Sequence, residues 1–247
     1  MLVSIVIPAF NEEENLEQLF REVDEALINA PHEIEVIIVN DNSTDGTKNI
    51  LERLKKLHPF IKLINLKERG GQTGCFQVGF QEAKGEYIIR MDSDLQDHPK
   101  DLKQFFRAFE EKPDMIMGLR EMRKHHRFLR IATVLYDALI MILFDSPFHT
   151  NSSSFIAFKA EFVKEIPFRF NDHRYLPIIA MHRGAERLKE VVISHRERIY
   201  GQSKYGVYIK LLKGMPEVIR FIFKLKTGYY NLSTQGSHLK RSSALEK

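Results

Sequence analysis

Residues 86–99 read EYIIRMDSDLQDHP, an apolar strand-like run that ends in three aspartates, Asp92, Asp94 and Asp97. Like charges this close repel one another, so a fold that gathers them puts them to use. Alternate residues at the end of a strand face the same way, which sets Asp92 and Asp94 on one side. With the amide oxygen of Gln96 they make a hard-oxygen donor set suited to Mg2+ or Mn2+. The other reading is that an aspartate caps the helix beginning near Pro99. That accounts for one carboxylate, and Asp97 is the best placed.

Working outward, the same punctuation recurs. LVSIVIPAF (2–10), EIEVIIVN (33–40), KLINL (62–66) and DMIMGL (114–119) are short apolar runs rich in β-branched residues, as strands buried on both faces are. Helical patterns lie between them. Residues 12–30 place Leu16, Phe20, Val23 and Leu27 on one face. Residues 42–57 start at the capping candidates Ser43, Thr44 and Asp45 and carry Ile50, Leu54 and Leu57. Residues 73–85 end at Gly85, a C-terminal cap candidate, and 98–112 have Pro99 in the first turn. Strand–helix alternation with short connections predicts a Rossmann-like α/β fold, its sheet mostly parallel with helices on both faces.

Such sheets bind ligands beyond the carboxyl ends of their strands. Those ends carry Pro8-Ala9-Phe10-Asn11-Glu12, Asn40-Asp41-Asn42 and Asp92-Ser93-Asp94, so three polar clusters are expected along one rim. Asp41 has two readings: it organises the turn or caps the next helix, or it accepts hydrogen bonds from a nucleotide.

The chain has 247 residues, 43% of them hydrophobic and 28% charged, the balance of an ordinary globular protein. Net charge is only +4, but from Tyr205 onward eight Lys or Arg face two Glu. A basic end suggests contact with phosphates or an anionic surface. The single cysteine, Cys75, excludes an intrachain disulfide and points to a reducing compartment and a packing role. The start, MLVSIVIPAF, lacks the basic region of a signal peptide. No run reaches the ~20 apolar residues that span a bilayer; residues 128–144 come nearest, interrupted by Arg130 and Asp137.

The second half is less regular. A turn into a short strand is expected over Ser152 to Ile156, a helix over Asp172 to Arg183, a strand from Leu188 and a basic loop at RIYGQSKYG. Val207 to Lys226 reads as a basic amphipathic helix, broken or kinked at Pro216. Its Lys210, Lys213, Arg220 and Lys224 either face anionic headgroups or form a solvated face on a packed helix. The tail from residue 231 is polar and reads as disordered. His125, His126 and His149 lack metal-ligand spacing.

Taken together, VSIVIPAFNEEENL, VNDNSTDGT, AKGEYIIRMDSDLQDHP and HRERIYGQSKYG resemble glycosyltransferase family 2. Within it they look like polyprenyl-phosphate sugar transferases of the dolichol-phosphate mannosyltransferase type, over residues 2 to 210. The resemblance implies a GT-A fold over 1–206, with a donor half to about 120 and an acceptor half after it. Pro8, Phe10, Glu12 and Asp41 would surround the base and ribose, with Asp92 and Ser93 completing the nucleotide pocket. Asp94 and Gln96 would hold Mg2+ or Mn2+ on the diphosphate.

The implied reaction is inverting, metal-dependent transfer of a hexose from a GDP- or UDP-linked sugar to a polyprenyl phosphate. An anionic acceptor needs cations to position it and no general base. Arg120, Arg130, Thr133, Arg198, Ser203 and Lys204 fall where the resembled group carries acceptor-phosphate residues. Asp94, Arg120, Arg198 and Lys204 are the catalytic set implied. A peripheral place at the cytoplasmic face of a membrane follows, with no nucleic-acid partner and the oligomeric state open. Two alternatives remain: transfer to a glycan hydroxyl with Asp172 as base, and a silent nucleotide-sugar-binding subunit. A nucleotidyltransferase finds no early Gly-rich, Arg-containing phosphate loop here. One departure stands out: where the family commonly has Ser-Gly-Phe-Arg, this chain has Ser153-Ser154-Phe155-Ile156.

Overall fold

The computed structural model describes residues 1–120, 152–169, 171–196 and 207–231. Among them seven strands form one sheet in the order β3-β2-β1-β4-β6-β5-β7. The strands are β1 (Leu2–Ala9), β2 (Glu33–Asn40), β3 (Ile61–Asn65), β4 (Tyr87–Arg90), β5 (Met115–Arg120), β6 (Ser152–Lys159) and β7 (Leu188–Ile193). β1 pairs in parallel with β2 and β4, β2 with β3, and β5 with β7. Only β6 runs against its neighbours, lying antiparallel between β4 and β5. The short strand expected from Ser152 is thus an eight-residue element inside the sheet, between β4 and β5.

Period-two alternation along the strands feeds a core on each face. Val3, Ile5 and Ile7 meet α1 (Leu16–Leu27), α2 (Thr47–Leu57) and α4 (Leu102–Ala108) on one side. On the other, Val6, Ile37 and Ile88 pack with α3 (Gly71–Glu82), α6 (Leu176–His182) and α7 (Val207–Lys226). A four-residue helix, α5 (Ala160–Val163), follows β6. Each fully buried Leu, Ile or Phe stabilises the fold by about 1.5–3 kcal/mol.

Several local expectations are corrected. α2 buries Leu54 as expected, with Ile50 partly buried against the core, but adds Thr47 and Leu51 to its inward face and leaves Leu57 64% exposed. Asp45 is the candidate that works at its start, accepting from Thr47 N at 3.0 Å. Gly85 does not cap α3, which ends at Ala83 in an extended conformation. Gly85 is needed for close approach instead: a Cβ there would stand 2.6 Å from Ser4 N and 2.7 Å from its Oγ. The helix predicted over Asp172 to Arg183 begins as a 3-10 turn, Asp172–Tyr175, before α6. α7 runs unbroken through Pro216. Asn231, placed in the predicted tail, is held by a 2.9 Å contact with His182 Nε2. Residues 128–144 and 232–247 lie outside the described residues.

Candidate active site

β1 lies between β2 and β4, so the direction of strand order reverses at its carboxyl end. A cleft opens there, lined by Pro8, Ala9, Phe10, Glu12, Asp41, Gln72, Cys75, Asp92, Ser93 and Asp94. The residues expected at the nucleotide are all in it, together with Asp94. Gln72 and Cys75 come from the first turns of α3, and the rim rule applied to the end of β3 would have pointed to them. The Cys75 thiol is pushed up by burial and by Asp41, so it stays protonated. Arg69, also unflagged by its sequence context, lays its guanidinium 3.6 Å over the Phe10 ring.

Asp41 shows its turn-organising reading in how its oxygens are used. It is 3% exposed, and its carboxylate accepts from Gly70 N at 2.6 Å and from Gly71 N at 3.0 and 3.1 Å. Gly71 has φ +63°, a conformation that favours glycine and aims these N–H groups together. Asp41 therefore organises the entry to α3 while its flank faces the cleft.

Across the cleft, Asp92 is held differently. Ser154 Oγ donates to its Oδ2 at 2.7 Å, whereas Oδ1 is buried without a hydrogen-bond partner among the described residues. The turn beyond it is bent by Leu95, at φ +61°, and Gln96 N donates to Asp94 Oδ1 at 3.2 Å. Arg196 pins this turn: its N donates to Gln96 O at 3.0 Å and its Nε to Leu95 O, while Nη1 and Nη2 bind Glu22 at 2.9 and 2.8 Å. Gln96 does not line the cleft in this arrangement.

Asp97 is not a cap: the following 3-10 turn, Pro99–Asp101, and α4 start without a side-chain cap bond. It is buried, accepts from Ser153 Oγ at 2.8 Å, and lies 3.5 Å from both His195 Nδ1 and Arg120 Nε. The three aspartates thus divide, and no group of three or more His, Cys, Asp or Glu among the described residues is arranged around a metal. Arg120 is reached through Asp97, at the end of β5. Arg130, Thr133, Arg198, Ser203 and Lys204 lie outside the described residues, as do His125, His126 and His149.

Behind this wall sits His173, its Nδ1 2.7 Å from Thr73 Oγ1. Burial, with Arg90 and Arg174 nearby, lowers its pKa to about 3, so the ring is neutral. Asp172 is turned away from the cleft's needs: Lys224 Nζ donates to both its oxygens at 2.8 and 3.0 Å, and Arg169 N to Oδ2 at 2.7 Å. A carboxylate so occupied anchors α7 and is poorly placed to take a proton.

A mixed, mostly parallel sheet with an Asp-x-Asp turn at its switch point defines the GT-A class of transferase fold. Residues 4–167 match Glycosyl transferase family 2, and the chain belongs to that family. Its curated relatives include the dodecaprenyl-phosphate galacturonate synthase of Rhizobium johnstonii, 30% identical over 92% of this chain and 70% of that one. An undecaprenyl-phosphate 4-deoxy-4-formamido-L-arabinose transferase of Edwardsiella ictaluri is 28% identical over 88% of this chain and 66% of its own. The chain therefore spans about two thirds of the length of these relatives. Among solved structures, the glucosyl-3-phosphoglycerate synthase of Mycobacterium tuberculosis, with Mn2+, UDP and phosphoglyceric acid bound, superposes with a TM-score of 0.65. It is 17% identical and the match covers 93% of this chain and 78% of that one, a likeness of fold.

Proposed function

We propose that this chain transfers a hexose from a GDP- or UDP-linked sugar to a polyprenyl phosphate. The observation that carries the donor side is the meeting of Phe10, Glu12, Asp41, Asp92, Ser93 and Asp94 in one cleft at the switch point. Relatives whose names state polyprenyl-phosphate sugar transfer support the acceptor.

The chemistry of the donor set fits a divalent cation with open positions. The carboxylate of Asp94 lines the cleft, while Gln96, the other expected oxygen ligand, lies just beyond the lining and would have to turn its amide inward. Asp94 and Gln96 would hold Mg2+ or Mn2+, whose charge would stabilise the departing diphosphate in an inverting displacement. Phe10 offers its ring to the base and Pro8 shapes the floor beneath it. Asp92 and Ser93 fix the nucleoside side of the pocket. Arg120, with Arg130, Thr133, Arg198, Ser203 and Lys204, would hold the acceptor phosphate; arginine suits bidentate contact and lysine charge alone. The phosphate oxygen is already anionic, so no base is required, in keeping with the engagement of Asp172 by Lys224.

No described helix is long and apolar enough to cross a membrane. α7 exposes Ile219 (62%) and Phe223 (67%) one helical turn apart, with Arg220 and Lys226 also exposed, which supports peripheral contact with an anionic membrane surface. Lys224, expected on that surface, instead points inward to Asp172.

The test is incubation with a panel of nucleotide sugars and undecaprenyl phosphate, with and without MnCl2. Metal-dependent appearance of a lipid-linked sugar is expected. Transfer to a glycan hydroxyl in preference to the lipid phosphate would overturn the acceptor. Tight UDP or GDP binding with no turnover would make the chain a binding subunit.

A further inference from the structure

Arg90 is a charged side chain where the sheet calls for an apolar one. It ends β4 at the centre of the sheet, with a side chain only 8% exposed. Nη1 donates to the His173 carbonyl at 2.8 Å, and the guanidinium carbon lies 4.5 Å from the centre of the Phe76 ring. Nη2 stands 3.9 Å from Asp92 Oδ1. Arg90 Nε and Asp92 Oδ1 both lack hydrogen-bond partners among the described residues. A guanidinium buried here has one hydrogen bond and one ion pair, and removing it alone would leave the His173 carbonyl and the Asp92 carboxylate uncompensated.

The register bears on its presence. Arg90 is directly paired with Ile156 across the antiparallel β4–β6 ladder. Directly opposed residues project from the same face, roughly 4.5–5.5 Å apart at Cβ. The Ser-Gly-Phe-Arg pattern would put an arginine at 156; here the isoleucine is at 156 and the arginine one strand over, on the same face. The same pattern has glycine at 154, where this chain has the serine that donates to Asp92 Oδ2. Ser154 thus meets Asp92 at one oxygen by a hydrogen bond, and Arg90 faces the other as an ion pair at 3.9 Å.

We propose that Arg90 is a positioning residue for the transfer reaction. It orients Asp92 from beneath the cleft and, through the His173 carbonyl, ties the donor wall to the segment that leads into α6. This rests on the donor-cleft reading above. Mutation of such an outer partner lowers affinity or activity by about 10–100-fold.

The test compares the wild-type chain with R90I, R90K and the swap R90I/I156R. Each is assayed for melting temperature, for binding of UDP and GDP with MnCl2 by calorimetry, and for kcat and KM of transfer to undecaprenyl phosphate. R90I is expected to melt below wild type, because it strips the His173 carbonyl and Asp92 of a partner, and at temperatures where it remains folded to lose about 10–100-fold in kcat and in nucleotide affinity. The swap returns the guanidinium to the same face and is expected to recover most of that loss. If R90I fails to fold, R90K decides: it keeps the charge but lacks the fork, and a wild-type kcat in R90K overturns the proposal. Equal binding and transfer by R90I and wild type overturns the role of Arg90 alone. A wild type that neither binds nucleotide nor transfers overturns the donor reading itself, and this inference with it.

Discussion

The two walls of the cleft use their carboxylates in opposite ways. On the β2 side, Asp41 is saturated by the N–H groups of Gly70 and Gly71. On the β4 side, Asp92 has one hydroxyl donor and one oxygen without a hydrogen bond among the described residues. The first carboxylate is fixed by two backbone amides, the second by one hydroxyl and the Arg90 guanidinium 3.9 Å away. Both are aspartates ending buried strands on one rim, so it is the supply of donors nearby that separates them.

The contrast should break most visibly at the β4 wall. Asp94→Ala is expected to lower transfer by about a hundred- to a thousandfold while the melting temperature holds. A parallel fall in stability would mean that this wall, too, is scaffold. On the opposite wall, Asp41→Asn replaces a charged acceptor with a neutral amide. It should cost about 1.5–3 kcal/mol of stability in urea unfolding. Loss of nucleotide binding in Asp41→Asn with unchanged stability would reverse the assignment of the two walls.

A smaller effect comes from His173, below the β4 wall. Its folded pKa of about 3 lies under the ordinary 6.5, so between these values the unfolded chain binds the extra proton. Stability is full above pH 6.5 and falls as pH drops toward 3, by up to about 1.4 kcal/mol per pH unit. Burial also lowers the pKa of His98, which adds to the trend in the same direction. His173→Gln should flatten the pH 6 to 4 part of the curve, and an unchanged slope would remove His173 from the account. Least of all should Asp172→Asn affect turnover. It frees Lys224 from its carboxylate and lowers stability, but kcat is expected to stay within about threefold. A collapse of kcat would restore the hydroxyl-acceptor alternative.

The first 120 residues were largely legible because their signals are local. β2 spans the predicted 33–40, and β1, β4 and β5 differ from their apolar runs by a residue or so at an end. Short parallel units let the rim be read from strand ends alone. Legibility fails where partners are distant in sequence. Asp97 reads as a cap from its neighbours, but Ser153 and His195 claim it from 56 and 98 residues away. Gly85 reads as a helix stop, yet the constraint on it is Ser4, 81 residues back. Asp172 and Lys224, each ambiguous alone, explain one another only as a pair. Nothing in the local pattern of β6 foretold that it would run antiparallel between β4 and β5.

That placement of β6 has a consequence for the order of assembly. β4 and β5 each pair with β6, so β4 gains its second neighbour only when residues 152–159 arrive. A nascent chain that has emerged through residue 120 carries every residue lining the cleft, yet has an open hydrogen-bonding edge at β4 and no Ser154 to hold Asp92. Open edges of this kind invite mispairing. The cleft is written in the first half of the chain but closes on its geometry only after the second half is made, which puts the vulnerable interval of folding at the length between β5 and β6.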